Sequence, residues 1–179
     1  MDQSPGPPDR YLPAPGSVQW QSAVVDDAPA AGDDRDRDPS GRARQGRPRD
    51  GLGRPLAYGS RGVEPVPELA LGPEQTLAAA RDLVSQGRPF SAHEVLEARW
   101  KDCPALERDL WQGLAQICVG LTHAGRGNLT GAARLVERGA SRLHAYADSP
   151  GPTYGLDLVA VEACARARVP GADPSGRGG

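Results

Sequence analysis

Aromatic residues are scarce in this chain: one Phe, three Trp and four Tyr among 179 residues. With so few, and with 23 Gly and 18 Pro, the composition points to a fold that occupies only part of the chain. Long hydrophobic runs are missing too. No stretch of about 18 apolar residues exists, which excludes a membrane-spanning helix. The three cysteines, Cys103, Cys118 and Cys164, are odd in number and widely spaced. That pattern fits neither a disulfide framework nor a zinc-ligand motif, and it suits small half-buried residues of a reducing compartment. Nor does charge of one sign dominate. The formal net charge of −2 gives no global pull toward nucleic acid or an anionic membrane. The first residues hold no basic stretch leading into an apolar one, so no secretory signal is expected and the expected location is cytoplasmic.

What is present divides the chain sharply. Residues 1–67 are rich in Pro, Gly, Asp and Arg and poor in large apolar side chains. Such a segment cannot bury enough surface to offset an ordering cost of roughly 1–2 kcal/mol per residue, so a disordered tail is expected. It carries an acidic block from Asp26 to Asp38, a basic block from Arg42 to Arg49, and a lone Trp20 beside Val24 and Val25. The simplest reading of the charge blocks is a solvated tail, and a tether or contact arm is the alternative. Residues 170–179 form a second frayed end.

Between residues 71 and 169 the periodicity is helical. A first helix runs from Pro73 to Gln86 and stops at Gly87. A second starts with Ser91 as N-cap, Glu94 at the capping-box position, and Phe90 with Val95 as a hydrophobic staple. Pro104 opens a third, whose apolar stripe is Leu106, Leu110, Leu114, Ile117 and Leu121. Gly113 and Gly120 lie on one edge of it, where another backbone can approach. Gly127 ends this helix and Asn128 caps a fourth, which turns Ala132, Leu135, Val136, Gly139 and Leu143 inward. A fifth spans residues 156–168 with Val159, Ala160 and Ala163 on its apolar face. No segment alternates like a strand, so the fold class is all-α: a bundle of about five antiparallel helices.

Polar residues at helical spacing inside this apolar region are the candidates for function. His93 and Glu97 are four apart and share a helix face. Gln112, Gln116 and His123 form a second polar stripe on the third helix. Facing each other, the two stripes would gather two imidazoles, a carboxylate and two amides. Three readings follow. His93, Glu97 and His123 offer first-shell ligands for zinc or iron with an open position. His93 tuned by Glu97 offers a general acid–base pair, with the glutamines orienting a substrate. The third reading is a hydrogen-bonded network that fixes helix register, with His93 donating to Glu97. HEVLE differs from the HExxH zinc-protease motif at a ligand position, which weighs against a protease. The start of the fourth helix, with Arg126 nearby, offers an anion site, against the simpler reading of a capped joint. Trp100 and Trp111 read as core or interface anchors.

The succession FSAHEVLEARW, ERDLWQGLAQICVGLTHAGRGN and GAARLVERGASRL resembles the small helical proteins grouped as the domain of unknown function 309 family. The family-typical positions are His93, Glu94, Glu97, Trp100, Gln112, Gly113, Gln116, His123, Arg126, Gly127, Asn128, Gly131 and Ala132. The resemblance runs from Leu77 to Tyr146 and implies a compact all-α bundle. It implies no activity. The resulting expectation is a non-enzymatic structural or interaction domain whose polar cluster lies between helices. Its partner would be another protein or a second copy, with no nucleic acid and no membrane, and the sequence requires no cofactor. The alternative is a small-molecule- or metal-binding enzyme built on His93, Glu97 and His123.

Overall fold

A computed structural model of the chain describes residues 47–66 and 70–169. Trp20, the acidic block, most of the basic block and the 170–179 end lie outside the described residues. Five helices follow in order: α1 (Pro73–Ser85), α2 (Pro89–Asp102), α3 (Arg108–Gly125), α4 (Leu129–Ala147) and α5 (Leu158–Ala167). A 3₁₀ turn, Ala105–Glu107, precedes α3. Among the described residues there is no strand, only an isolated bridge between Arg49 and Pro55. The all-α class read from the sequence is the class observed.

Helix α3 is the centre of the bundle. It packs most extensively on α4 and then on α2, while α1 covers α2 and α5 covers α4. Trp111, Leu96, Leu110, Leu143 and Val136 form the deepest part of the core. The close α3–α4 approach rests on glycine, as the spacing of Gly113 and Gly120 predicts. A Cβ on Gly113 would stand 2.9 Å from Leu143 and 3.1 Å from the Gly139 carbonyl, and one on Gly120 would meet Val136 at 2.8 Å. Gly139 answers from α4, where a Cβ would lie 2.7 Å from the Gly113 carbonyl. Neither backbone can retreat without separating the helices.

Three sequence expectations need correction. Helix α2 does not begin at Ser91. It begins at Pro89, because proline's fixed φ suits the first helical position, and Arg88 takes the N-cap place with no side-chain cap. Ser91 is buried inside the first turn and accepts a long hydrogen bond from Arg88 Nη2, so neither the capping box nor the capping role of Glu94 exists. Leu106 belongs to the 3₁₀ turn rather than to the α3 stripe and is 51% exposed; the neighbouring Glu107 is the buried residue. On α5, Leu158, Glu162 and Ala165 face inward, leaving Val159 at 71% exposed. Asp157 sets that phase by capping the Ala160 amide at 3.0 Å.

Residues 47–66, counted with the tail on composition, have a defined path against the bundle. Their order comes from local turn chemistry. Asp50 Oδ1 accepts from the Leu52 and Arg54 amides at 3.0 and 2.8 Å, an arrangement that aspartate makes with its own following backbone. Gly53, at φ +74°, donates to the Asp50 carbonyl. Arg49 Nη1 donates to the Gly53 carbonyl at 2.7 Å. Further along, Leu56 and Val63 amides donate back to Pro48 and Arg49 carbonyls.

Candidate functional site

Helices α2 and α3 run antiparallel through the Cys103–Glu107 turn, so the pair has a turn end and an open end. At the open end the beginning of α2 meets the end of α3: the Arg126 guanidinium lies 6.0 Å from the centre of the Phe90 ring. The candidate residues of α2 and α3 are distributed along this pair.

At the open end, His93 and Glu97 share one face as their spacing predicts, but their closest approach is 3.7 Å. That is too long for a hydrogen bond, so His93 does not donate to Glu97. Glu97 is held instead by Lys101 at 3.1 Å. Burial pushes the His93 pKa below the ordinary histidine value, against the pull of Glu97 and with the help of Lys101. The imidazole is therefore neutral at neutral pH. Glu94, freed of a capping role, is half-buried. Burial raises its pKa, Glu97 adds to the rise, and Arg49 and Arg88 oppose it.

His123 takes part in a different contact. Its Nδ1 lies 3.1 Å from Asn128 Nδ2, while Asn128 Oδ1 caps α4 by accepting from the Gly131 amide at 2.9 Å. Gly127, at φ +83°, makes the turn between them. The Asn128 amide returns to the His123 carbonyl and the Gly127 amide to Ala124, the paired bonds of a Schellman stop. Gly131 is close to both polar partners, and Ala132, fully buried, presents its carbonyl to Gly120. The joint read from Gly127 and Asn128 is thus the joint observed. Arg126 does not wait there for an anion: its Nε donates to the Leu52 carbonyl at 3.0 Å, and Nη2 donates to the same oxygen.

The His93, Glu97 and His123 set is not assembled into a metal centre. Among the described residues no group of three or more His, Cys, Asp or Glu side chains is placed to hold a metal ion. Gln112 and Gln116 are half-buried on α3. Three buried polar atoms on motif residues have no hydrogen-bond partner: His93 Nδ1, Trp100 Nε1 and Gln116 Oε1. Trp100 packs its ring beneath the Arg108 guanidinium at 5.5 Å. Cys118 is fully enclosed, and burial pushes its thiol up to about 12, which removes it as a thiolate nucleophile.

The turn end carries a cluster absent from the sequence reading. Glu107 is buried and its Oε2 accepts from Trp111 Nε1 at 2.9 Å and from Arg99 Nη2 at 3.2 Å. Tyr154 also bears on the carboxyl. Burial pushes the Glu107 carboxyl up, but Trp111, Tyr154 and Arg99, with the Arg99 charge, outweigh it and hold the carboxyl below its ordinary value. The Arg99 guanidinium also covers the Trp111 ring at 5.5 Å, and Tyr154 tilts against that ring at 5.9 Å. Tyr154 holds a φ of +51°, a left-handed conformation costly for a bulky residue. The Glu107 to Trp111 spacing of four was visible in the sequence; Tyr154 was not, since it arrives from beyond α4.

Among the described residues no helix is long and apolar enough to cross a membrane. No solved structure matches the chain. A 48-residue stretch is 44% identical to the uncharacterized protein YpuF of Bacillus subtilis (strain 168), covering 26% of this chain and 28% of that relative. The chain thus matches well under two thirds of the relative's length. Residues 77–135, from within α1 to within α4, match the family described as Domain of unknown function (DUF309).

Proposed function

We propose that this is a non-enzymatic helical interaction domain, in which the motif residues build the α2–α3–α4 scaffold and its open end holds polypeptide. One observation carries the reading: Arg126, inside the family match, spends its guanidinium on a backbone carbonyl of a segment outside it. A forked donor on a main-chain acceptor is a contact that polypeptide supplies. The His93–Glu97 approach of 3.7 Å supports the same reading, because an acid–base pair needs its groups within hydrogen-bond reach.

A second reading has its own support in the unpartnered His93, Trp100 and Gln116 atoms. Buried polar groups are nearly always paired, and a small polar molecule with both donors and acceptors would pair them. Elemental analysis with native mass spectrometry of freshly purified full-length protein separates the two readings. The interaction reading expects the bare polypeptide mass and no stoichiometric metal. A retained ligand or metal that the His93→Ala, Glu97→Ala double variant loses while keeping its helical content overturns it.

A further inference from the structure

The open end of the α2–α3 pair is covered by residues 48–56, here termed the strap. Its contacts with the bundle centre on Arg49, Leu52 and Gly53, with Gly51 beside the Gly87 carbonyl, 3.0 Å from where its Cβ would stand. The Leu52 carbonyl receives the Arg126 fork. The Leu52 side chain lies where Gly125 has no Cβ: one built there would stand 2.7 Å from Leu52 Cδ2. Gly53 lies flat on the Phe90 ring, whose atoms would be 2.4 Å from an added Cβ, and the Arg49 guanidinium sits 5.7 Å from the centre of the same ring. Arg49 also bears on the Glu94 carboxyl.

Two features make the strap a ligand in cis rather than a part of the core. Its turn is closed by its own bonds around Asp50. It also lies outside residues 77–135, whereas Phe90, Gly125 and Arg126 lie inside them.

Resting on the interaction-domain reading, we propose that Phe90, Gly125 and Arg126 form a docking cradle for a peptide turn. The partner it fits is an Asp-Gly-aliphatic-Gly turn flanked by arginine, and the strap is the copy of that turn that occupies the cradle until the partner displaces it. Each position has a chemical reason. Aspartate folds the turn, the aliphatic side chain fills the place left by Gly125, and its carbonyl meets Arg126. The following glycine permits both the positive φ and the contact with Phe90. The preceding arginine faces Phe90 and Glu94.

A fluorescently labelled peptide of residues 47–57 tests this by anisotropy against the full-length protein. Gly53→Val in the protein evicts the strap without touching a cradle residue; Leu52→Ser is a second variant should the first fail to fold. The strap-evicted protein is expected to bind the peptide at least about ten-fold more tightly than wild type, since an occupied cradle lowers apparent affinity by the fraction left open. Adding Arg126→Ala is expected to remove at least about ten-fold of that affinity, as loss of a charged hydrogen bond does. Equal binding by wild type and both evicted variants overturns the proposal. So does no binding by an evicted variant of unchanged helical content, or binding indifferent to Arg126→Ala. A wild-type dimer that Gly53→Val dissolves assigns the strap to a neighbouring copy, and also overturns it. These outcomes leave the metal and ligand analysis of the wild-type protein untouched, so the two failures are distinguishable.

Discussion

At the turn end of the α2–α3 pair, one buried carboxylate, Glu107, gathers Trp111, Arg99 and Tyr154. At the open end, about 13 Å back along α2, His93 Nδ1 has no partner and Arg126 reaches out to a strap carbonyl. Both ends are rich in aromatic and charged side chains, yet one is closed on itself and the other faces outward. A buried carboxylate shared by several donors fixes geometry and is costly to disturb. A half-exposed set that reaches a separate segment is where a second molecule gains most. The comparison assigns scaffold to the turn end and recognition to the open end.

The largest expected effect breaks the turn end. Glu107→Ala leaves Arg99 and Trp111 without their common acceptor, and is expected to cost about 3–5 kcal/mol in urea unfolding. A loss below about 1 kcal/mol would mean the network does not hold the turn end together. Next is Gly139→Ala, which drives a methyl group into the Gly113 carbonyl and the Ile117 amide, at 2.7 and 3.1 Å from its Cβ. Both are backbone atoms that cannot swing away, so about 1–3 kcal/mol is expected, read by the same unfolding curve. Asn128→Ala removes the α4 cap and the His123 contact at the joint. About 1 kcal/mol is expected, the ordinary worth of an N-cap.

A smaller effect separates the ends by pH. The folded-state pKa of His93 lies below its ordinary value of 6.5, so the unfolded chain binds the proton more readily. Stability from this group is complete above pH 6.5 and is lost as pH falls through that value toward the lowered one. Urea unfolding from pH 7.5 down to about 5.5 should therefore show a decline in wild type that His93→Gln reduces. An identical decline in both proteins would remove His93 as its source. Glu107, also lowered, loses its contribution only at more acid pH, as the carboxylate itself is protonated.

The sequence exposed the helices more fully than the two ends. Gly87, Gly127 and Asn128 act locally, so their punctuation was readable from neighbouring residues alone. Gly113 and Gly120 announced a close backbone approach, and Gly139 supplied it. The α2 start was misread because Ser91 and Glu94 fit a capping box, while Pro89 two residues earlier had the stronger claim on the first turn. On α5 a ten-residue helix rich in alanine gives no sharp apolar stripe, so its phase was set by the Asp157 cap and by Arg166, which forks onto Glu137 of α4. The Glu107 cluster and the strap were illegible for a common reason. Tyr154 and Leu52 meet their partners from 47 and 74 positions away in the chain, and no local pattern encodes such a meeting.

The claim that the open end holds a separable occupant is tested most directly by amide hydrogen exchange. The Leu52, Gly53 and Arg54 amides, bonded within the strap, are compared with core amides of α3 and α4 in wild type and Arg126→Ala. The strap is expected to exchange through its own opening, at least about ten-fold faster in the variant, while the core amides keep their wild-type rates. Strap amides indifferent to Arg126→Ala, or core amides accelerated by the same factor, would contradict the account.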